Sequence, residues 1–216
     1  MKNINAKNKD LQTVNREIRD NLNSQPVMVK NAAQLHGLAA GINHGEVVIE
    51  GDTGDYLGVL NNGATIRVTN NVGNYLGDNM TTGTIEVEGN SGFGAGQYCY
   101  GGSVIVHGDA GDFTATMNKG AAIIITGDVG NEAGTYMLKG DLIVLGNAGK
   151  NFANYLIHGD VYIRGEWETL GHNTRIVEMD ERDAEKLTSY FNTYGIEADP
   201  HGFKKIVAAS MKPFYK

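Results

Sequence analysis

Six histidines and one cysteine are the residues in this 216-residue chain best suited to hold a metal or act as a strong nucleophile. A metal site on a helix places its ligands three or four residues apart so that they share a face. No two of His36, His44, His107, His158, His172 and His201 have that spacing. Cys99 stands alone, which excludes an intrachain disulfide and a thiolate cluster. Ser91-Gly92 and Ser103 lack the strand-to-helix elbow that exposes a catalytic serine. Gly51-Asp52-Thr53-Gly54 and Gly127-Asp128-Val129-Gly130 have the composition of anion-binding loops. Such loops open a helix whose free N–H groups hold the anion, whereas here another β-rich run follows. The glycines therefore read as turns, and Asp52, Asp109 and Asp128 as side chains that cap them. Carbohydrate hydrolysis would need clustered carboxylates in a groove; Glu50, Glu86 and Glu88 are the nearest approach. His107, one period on from Glu88, reads as half of a surface Glu–His contact. The expectation is that this chain holds no catalytic, cofactor-binding or metal-binding residue.

The elements that carry these residues are set by a period of 19. Gly51, Gly89, Gly108, Gly127, Gly146 and Gly165 keep that step, with Asn70 on the missing beat, and Gly54, Gly73, Gly92, Gly111, Gly130 and Gly149 keep it without a gap. A looser column follows at Gly58, Gly77, Gly96, Ala115, Gly134 and Ala153. Each repeat opens on a short β-branched run, which argues for a strand. The columns Val47, Ile66, Ile85, Val104, Ile123, Leu142, Val161 and Ile49, Val68, Val87, Val106, Ile125, Val144, Ile163 are apolar throughout. The column between them is mixed and faces outward, because side chains alternate along a strand. Equivalent strands lie parallel only if the chain travels round and returns. The fold expected is all-β, a right-handed parallel β-helix (a single-stranded solenoid) of about seven 19-residue coils with helical N- and C-terminal caps. His44 and His158 are equivalent but six coils apart, roughly 29 Å at ~4.8 Å per coil, too far to share a metal.

The glycines are expected where turns need positive φ or close chain approach, and Asn70 as a residue that tolerates positive φ. Two further inward columns are expected, Leu57, Leu76, Ala95, Thr114, Ala133, Phe152 and Met80, Cys99, Met137, Leu156. In the second, the anchor slips back by one residue to Leu60 and Met117, with Gly63 and Gly120 following, as a local bulge.

The ends break the pattern. Leu11, Val14, Ile18 and Leu22 predict a helix over about 9–23, stopped by Pro26 before an extended Val27-Met28-Val29. Asp180 reads as an N-cap, Ala184, Leu187, Phe191 and Tyr194 as one helical face, and Gly195 as the stop. The expected divisions are 1–44, an N-terminal cap with a short helix; 45–176, the β-helix; and 177–216, a helical tail. A net charge of −7 without a basic stripe argues against nucleic acid. No apolar run approaches a membrane span and the polar N-terminus lacks a secretory signal, so a cytoplasmic location is expected.

One outward feature suggests a surface with work to do. Ile105, Ile124, Ile143 and Tyr162 stack on consecutive coils with Leu145 alongside, an apolar strip that either the terminal helix or another protein must cover. These five residues are the candidate partner-docking set. Tyr98, Tyr136 and Tyr155 form a second outward ladder.

The pattern Gly-x-x-Gly-x-x-x-Gly on a 19-residue step resembles the GXGXG-motif family, the C-terminal β-helix domain of the large subunit of glutamate synthase and its free-standing relatives. Gly134 to Gly165, reading GTYMLKGDLIVLGNAGKNFANYLIHGDVYIRG, is similar to two coils of that domain. Arg164-Gly165, Leu170-Gly171, the acidic helix from Asp180 and the Asp199-Pro200 to Phe203 segment resemble the separate subunit of split glutamate synthases and N-methylglutamate synthase. The resemblance implies a non-catalytic subunit of a cytoplasmic hetero-oligomer. In the family, a class II glutamine amidotransferase-like unit hydrolyses glutamine, and a glutamate synthase-like unit with FMN and an iron–sulfur cluster transfers the amino group. The β-helix fixes their relative position. A rival of the same fold is the β-helix subunit of formylmethanofuran dehydrogenase, a tungsten or molybdenum enzyme; a carbohydrate-active β-helix enzyme is a third reading.

Overall fold

The computed structural model describes residues 1–211; the last five positions of the expected tail, 212–216, lie outside the described residues. Eleven strands form one sheet in the order β1-β2-β3-β4-β5-β6-β7-β8-β9-β11-β10. Strands β3 (Glu46–Glu50), β4 (Asn62–Val68), β5 (Thr82–Val87), β6 (Ser103–Val106), β7 (Lys119–Ile125), β8 (Lys139–Val144) and β9 (Asp160–Ile163) each pair in parallel with the strand one repeat on. Val68, Val87 and Val106 are direct register partners on successive rungs. This is a parallel β-solenoid of about seven turns, and both predicted inner columns are buried along their whole length. A second ladder of single parallel bridges runs through Thr53, Val72, Ser91, Ala110, Val129, Ala148 and Trp167 on another side of the coil.

The solenoid starts earlier than the repeat suggests. Strand β2 (Val27–Lys30) pairs in parallel with β3, and Leu38 and Ile42 are buried one coil before Leu57 and Asn61. The offset from Val27 to Val47 is 20 residues, one off the period, which hides this coil from a 19-residue comparison. Strand β1 (Lys2–Asn5) then pairs in parallel with β2 across helix α1 (Leu11–Leu22), whose Val14, Ile18 and Leu22 are buried and whose N-cap is Asp10. Residues 1–44 thus hold a helix as expected, together with two strands and a coil that their irregular spacing conceals.

At the other end, the sheet is finished by strands and not by a helix. Strand β11 (Lys204–Ala208) lies antiparallel between β9 and β10 (Thr174–Val177), and β10 runs across position 176. Helix α2 (Glu181–Tyr194) carries the predicted Asp180 cap, completed by a reciprocal Asp180–Asp183 capping box, and ends on left-handed Gly195. It lies on the outer face of the sheet, where Leu187 and Phe191 bury against Ile105, Ile124, Ile143 and Tyr162. No helix among the described residues is long and apolar enough to cross a membrane.

Two local predictions are corrected. The second anchor column does not slip to Leu60 and Met117. Asn61 and Asn118 fill it, fully buried, while Leu60 is 56% exposed. Asn118 Nδ2 donates to Ala121 O at 2.8 Å and its Oδ1 accepts from Gly120 N and Ala121 N; Asn61 makes the equivalent pair with Ala64. A buried amide is tolerated there because the backbone satisfies it. The predicted bulges are present, as register shifts between Asn62 and Thr65 and between Lys119 and Ala122.

The glycine clocks have two different causes. A Cβ on Gly130 would meet the Asp112 carboxylate, with Asp112 N at 2.5 Å and Gly111 C at 2.8 Å, so that column is glycine for room between rungs. Gly58, in the third column, has φ +63 and needs the left-handed region. Asn70 is not among the positive-φ residues, so its expected role falls away. The turn carboxylates and amides form a ladder. Asp52, Asn71, Asn90, Asp109, Asp128 and Asn147 each accept, through Oδ1, the N–H of the residue one coil on, at 2.6–3.1 Å. Asp at these turns is therefore structural, and it caps the next rung.

Candidate functional site: an aromatic groove on the flank

Several residues of chemically active types are engaged within the fold. Cys99 is fully buried and its Sγ donates to Gly77 O, and burial pushes its pKa up to about 12, the opposite of an activated thiolate. Ser91 is buried in the bridge ladder. His36 Nδ1 accepts the N–H of Asp55 and His44 contacts Asn43, while His172 stacks on Tyr155. His107 Nε2 lies 3.1 Å from Glu86 Oε1, so its hydrogen bond is to Glu86 and not to the expected Glu88. The ligand atoms of Glu86, Glu88 and His107 all fall within 4.8 Å of one another. Arg67 Nε, 3.3 Å from Glu86, occupies that carboxylate from the other side, making an ionic cross-rung network.

The apolar strip proposed for docking is covered by the chain itself. Ile105, Ile124, Ile143 and Tyr162 are fully buried and Leu145 is nearly so, beneath Leu187, Phe191 and Phe203. The reason is complementarity within one chain, since the apolar face of α2 and the strip form one buried cluster. Polar groups then lock the helix down. Lys186 Nζ bridges Asp141 (3.0 Å) and Asp160 (2.8 Å), and Lys205 Nζ bridges Asp160 (3.3 Å) and Asp183 (2.6 Å). Tyr162 donates its OH to Asp183 at 2.7 Å and Tyr190 to Asp141 at 2.8 Å.

Burial alone would raise the pKa of Asp160 and Asp183, but the lysines (and, for Asp183, Tyr162) outweigh it and hold both below the usual carboxylate value. Burial likewise works against charge on Lys186 and Lys205, and the carboxylates overcome it and raise both. A depressed carboxylate stabilises above its unfolded pKa and loses that contribution as pH falls through the folded value; a raised lysine stabilises below its unfolded pKa and is lost on the alkaline side. The urea midpoint should therefore be flat through neutrality and fall below about pH 4. Lys205→Met should blunt the acid-side fall, and an equal fall in that variant would contradict the assignment.

Elsewhere on the coil, a second surface carries exposed and half-buried aromatic side chains. In each coil the chain passes through alternating left-handed residues, and many of these are bulky. Tyr56, Leu60, Tyr75, Tyr98, Phe113, Met117, Tyr136 and Tyr155 all have φ between 50° and 62°. L-residues pay about 1–2 kcal/mol each for that region, so apolar side chains there are not chosen by backbone preference. They form two rows. Tyr56 stacks on Tyr75 at 4.7 Å between centroids, Tyr75 meets Phe93 edge-on at 5.5 Å, and Phe93 meets Phe113 at 5.0 Å. The other row runs through Tyr98, Met117, Tyr136 and Tyr155, where Tyr136 and Tyr155 stack at 5.3 Å. Between them lies an open groove of about 470 Å³ with Gln97, Thr116 and Thr135 among the aromatic rings. Beside it, burial raises the pKa of Asp78. Lys119 Nζ lies 4.1 Å from the centre of the Tyr100 ring and donates to its hydroxyl. The sequence pointed to the Tyr98–Tyr136–Tyr155 row and missed the other, because Gly94 takes the left-handed place and shifts the aromatic residue to Phe93.

The GXGXG motif family profile matches residues 93–206, more than half of the chain. The chain belongs to the GXGXG motif family. The matched span runs from the groove through coils β6 to β9, helix α2 and into β11, and so includes both Gly134–Gly165 and the tail. Strands β3 to β5, before that span, continue the same parallel stack, with one register shift between Asn62 and Thr65. Membership of the GXGXG family is consistent with a glutamate synthase-like domain. No curated protein matches the sequence.

Proposed function

We propose that this chain is a scaffolding subunit of a cytoplasmic glutamate synthase-type complex, in which it fixes a glutamine amidotransferase-like subunit against a synthase-like subunit that carries FMN and an iron–sulfur cluster. The observation that carries this reading is the aromatic groove. Large apolar residues are held on this flank in a costly backbone conformation, Tyr56 40% and Leu60 56% exposed among them, and a partner surface that buried them would repay that cost. The solenoid suits such a role physically. Its rungs are cross-bonded at every turn, so two proteins seated on it keep one separation, and ammonia passing between their sites has a fixed path. Family membership supports the reading, as does the engagement of Cys99 and the turn carboxylates within the fold.

Affinity isolation of the tagged chain from its own cells tests it. The expected companions are an amidotransferase-like and a flavin-containing subunit, with glutamate (or N-methylglutamate) formation only in the assembly, and with both lost on Tyr98→Asp plus Tyr136→Asp. Recovery of a tungsten or molybdenum enzyme instead, or turnover by the chain alone, would overturn it.

A further inference from the structure

The groove repeats along the solenoid axis, and its repeat selects what fits in it. Tyr98 and Tyr136 stand two rungs apart on one wall, as do Tyr75 and Phe113 on the other. Two rungs measure ~9.6 Å. One turn of a polyproline-II helix, three residues long, advances ~9.3 Å, whereas two turns of an α-helix advance ~10.8 Å. An added β-strand finds no edge here, because the wall's N–H groups already donate to the next coil: Tyr98 to Thr116 at 2.9 Å, Met117 to Thr135 at 2.8 Å and Tyr136 to Asn154 at 2.9 Å.

A polyproline-II segment brings its own unpaired carbonyls, and the donors for them at the wall are the Tyr98 hydroxyl and the Lys119 ammonium, since the Gln97 amide is taken by Asp78 and Thr116 Oγ1 is buried. Charge adds a direction. In a chain of net charge −7, Lys119 and Lys139 are register partners on adjacent rungs beside the Tyr98 wall, and neither makes an ion pair among the described residues.

We propose that the groove binds a proline-containing polyproline-II segment of a partner protein, with prolines three residues apart against Tyr98 and Tyr136 and an acidic side chain at Lys119 and Lys139. This rests on the scaffolding reading, which makes the occupant a protein. Such a segment is already extended in solution, so little ordering entropy is lost on docking.

The test uses a fluorescently labelled, capped synthetic peptide with two prolines three residues apart followed by glutamate, titrated into the full chain by anisotropy. Saturable binding is expected, weakened at least tenfold when both prolines are alanine or when Tyr98→Ala is introduced. Lys119→Glu should weaken it about fivefold and should be rescued by a peptide with lysine in place of the glutamate. Equal binding of the alanine peptide, no binding by any of these peptides, or concentration-dependent dimerisation abolished by Tyr98→Ala would each overturn the proposal, the last by assigning the groove to a second copy. If the chain still co-isolates with its subunits while the peptide fails, only this occupant falls. If the peptide binds while no such subunits are recovered, the scaffolding reading falls instead.

Discussion

Gly130→Val abolishes the native fold, with loss of a cooperative thermal transition or a fall in Tm of at least about 10 °C. The added Cβ would sit 2.5 Å from Asp112 N and 2.8 Å from Gly111 C, both backbone atoms of the preceding rung, so no rotamer change relieves it. Relief requires the rungs to part, and that breaks Gly130 N to Ala110 O (3.0 Å) and Asn131 N to Asp112 Oδ1 (2.7 Å). In a solenoid each coil is held only by its neighbours, so a break in the middle exposes two unpaired ends. The destabilisation should exceed about 4 kcal/mol. Gly202→Ala, where a Cβ meets nothing within 4 Å, is the matched control and should leave Tm within a degree or two. An unchanged melting temperature for Gly130→Val would contradict the close approach of these rungs.

Ile143→Asp should damage the chain itself and not merely its associations. Ile143 is fully buried between Ile124 and Tyr162 and beneath the apolar face of α2. A carboxylate there meets no cation in the apolar cluster, and an unpaired buried charge costs several kcal/mol or forces its cover off. Circular dichroism should show Tm lowered by about 8 °C or more, and hydrogen exchange should show residues 181–194 losing protection. Val48→Asp, at the same outward position on β3 but only half-buried, should cost far less. Full protection of α2 in the Ile143→Asp protein would mean that the strip is not its seat.

The interior was legible because one period governs it: Val68, Val87 and Val106 fall in register with no more information than a step of 19. Legibility fails where the step or the residue type changes. The coil from Val27 is offset by 20. Asn61 and Asn118 are polar in an apolar column, acceptable only because backbone groups three residues on satisfy them. Strand β11 pairs antiparallel, outside any repeat. The candidate site was half legible. Alternation shows that Ile105, Ile124 and Ile143 face outward, but a strand's pattern does not say what lies on it, and α2 does. The aromatic groove was the harder feature, since bulky residues at positive φ contradict the local preference from which turns are read.

Hydroxyl-radical footprinting of the chain, alone and within its isolated assembly, tests the scaffolding account most directly. Oxidation of Phe93, Tyr98 and Tyr100 should fall severalfold on assembly, while that of Met179, just before α2, and Tyr190, on it, stays constant. Unchanged labelling along the groove, with protection appearing over α2 instead, would contradict it.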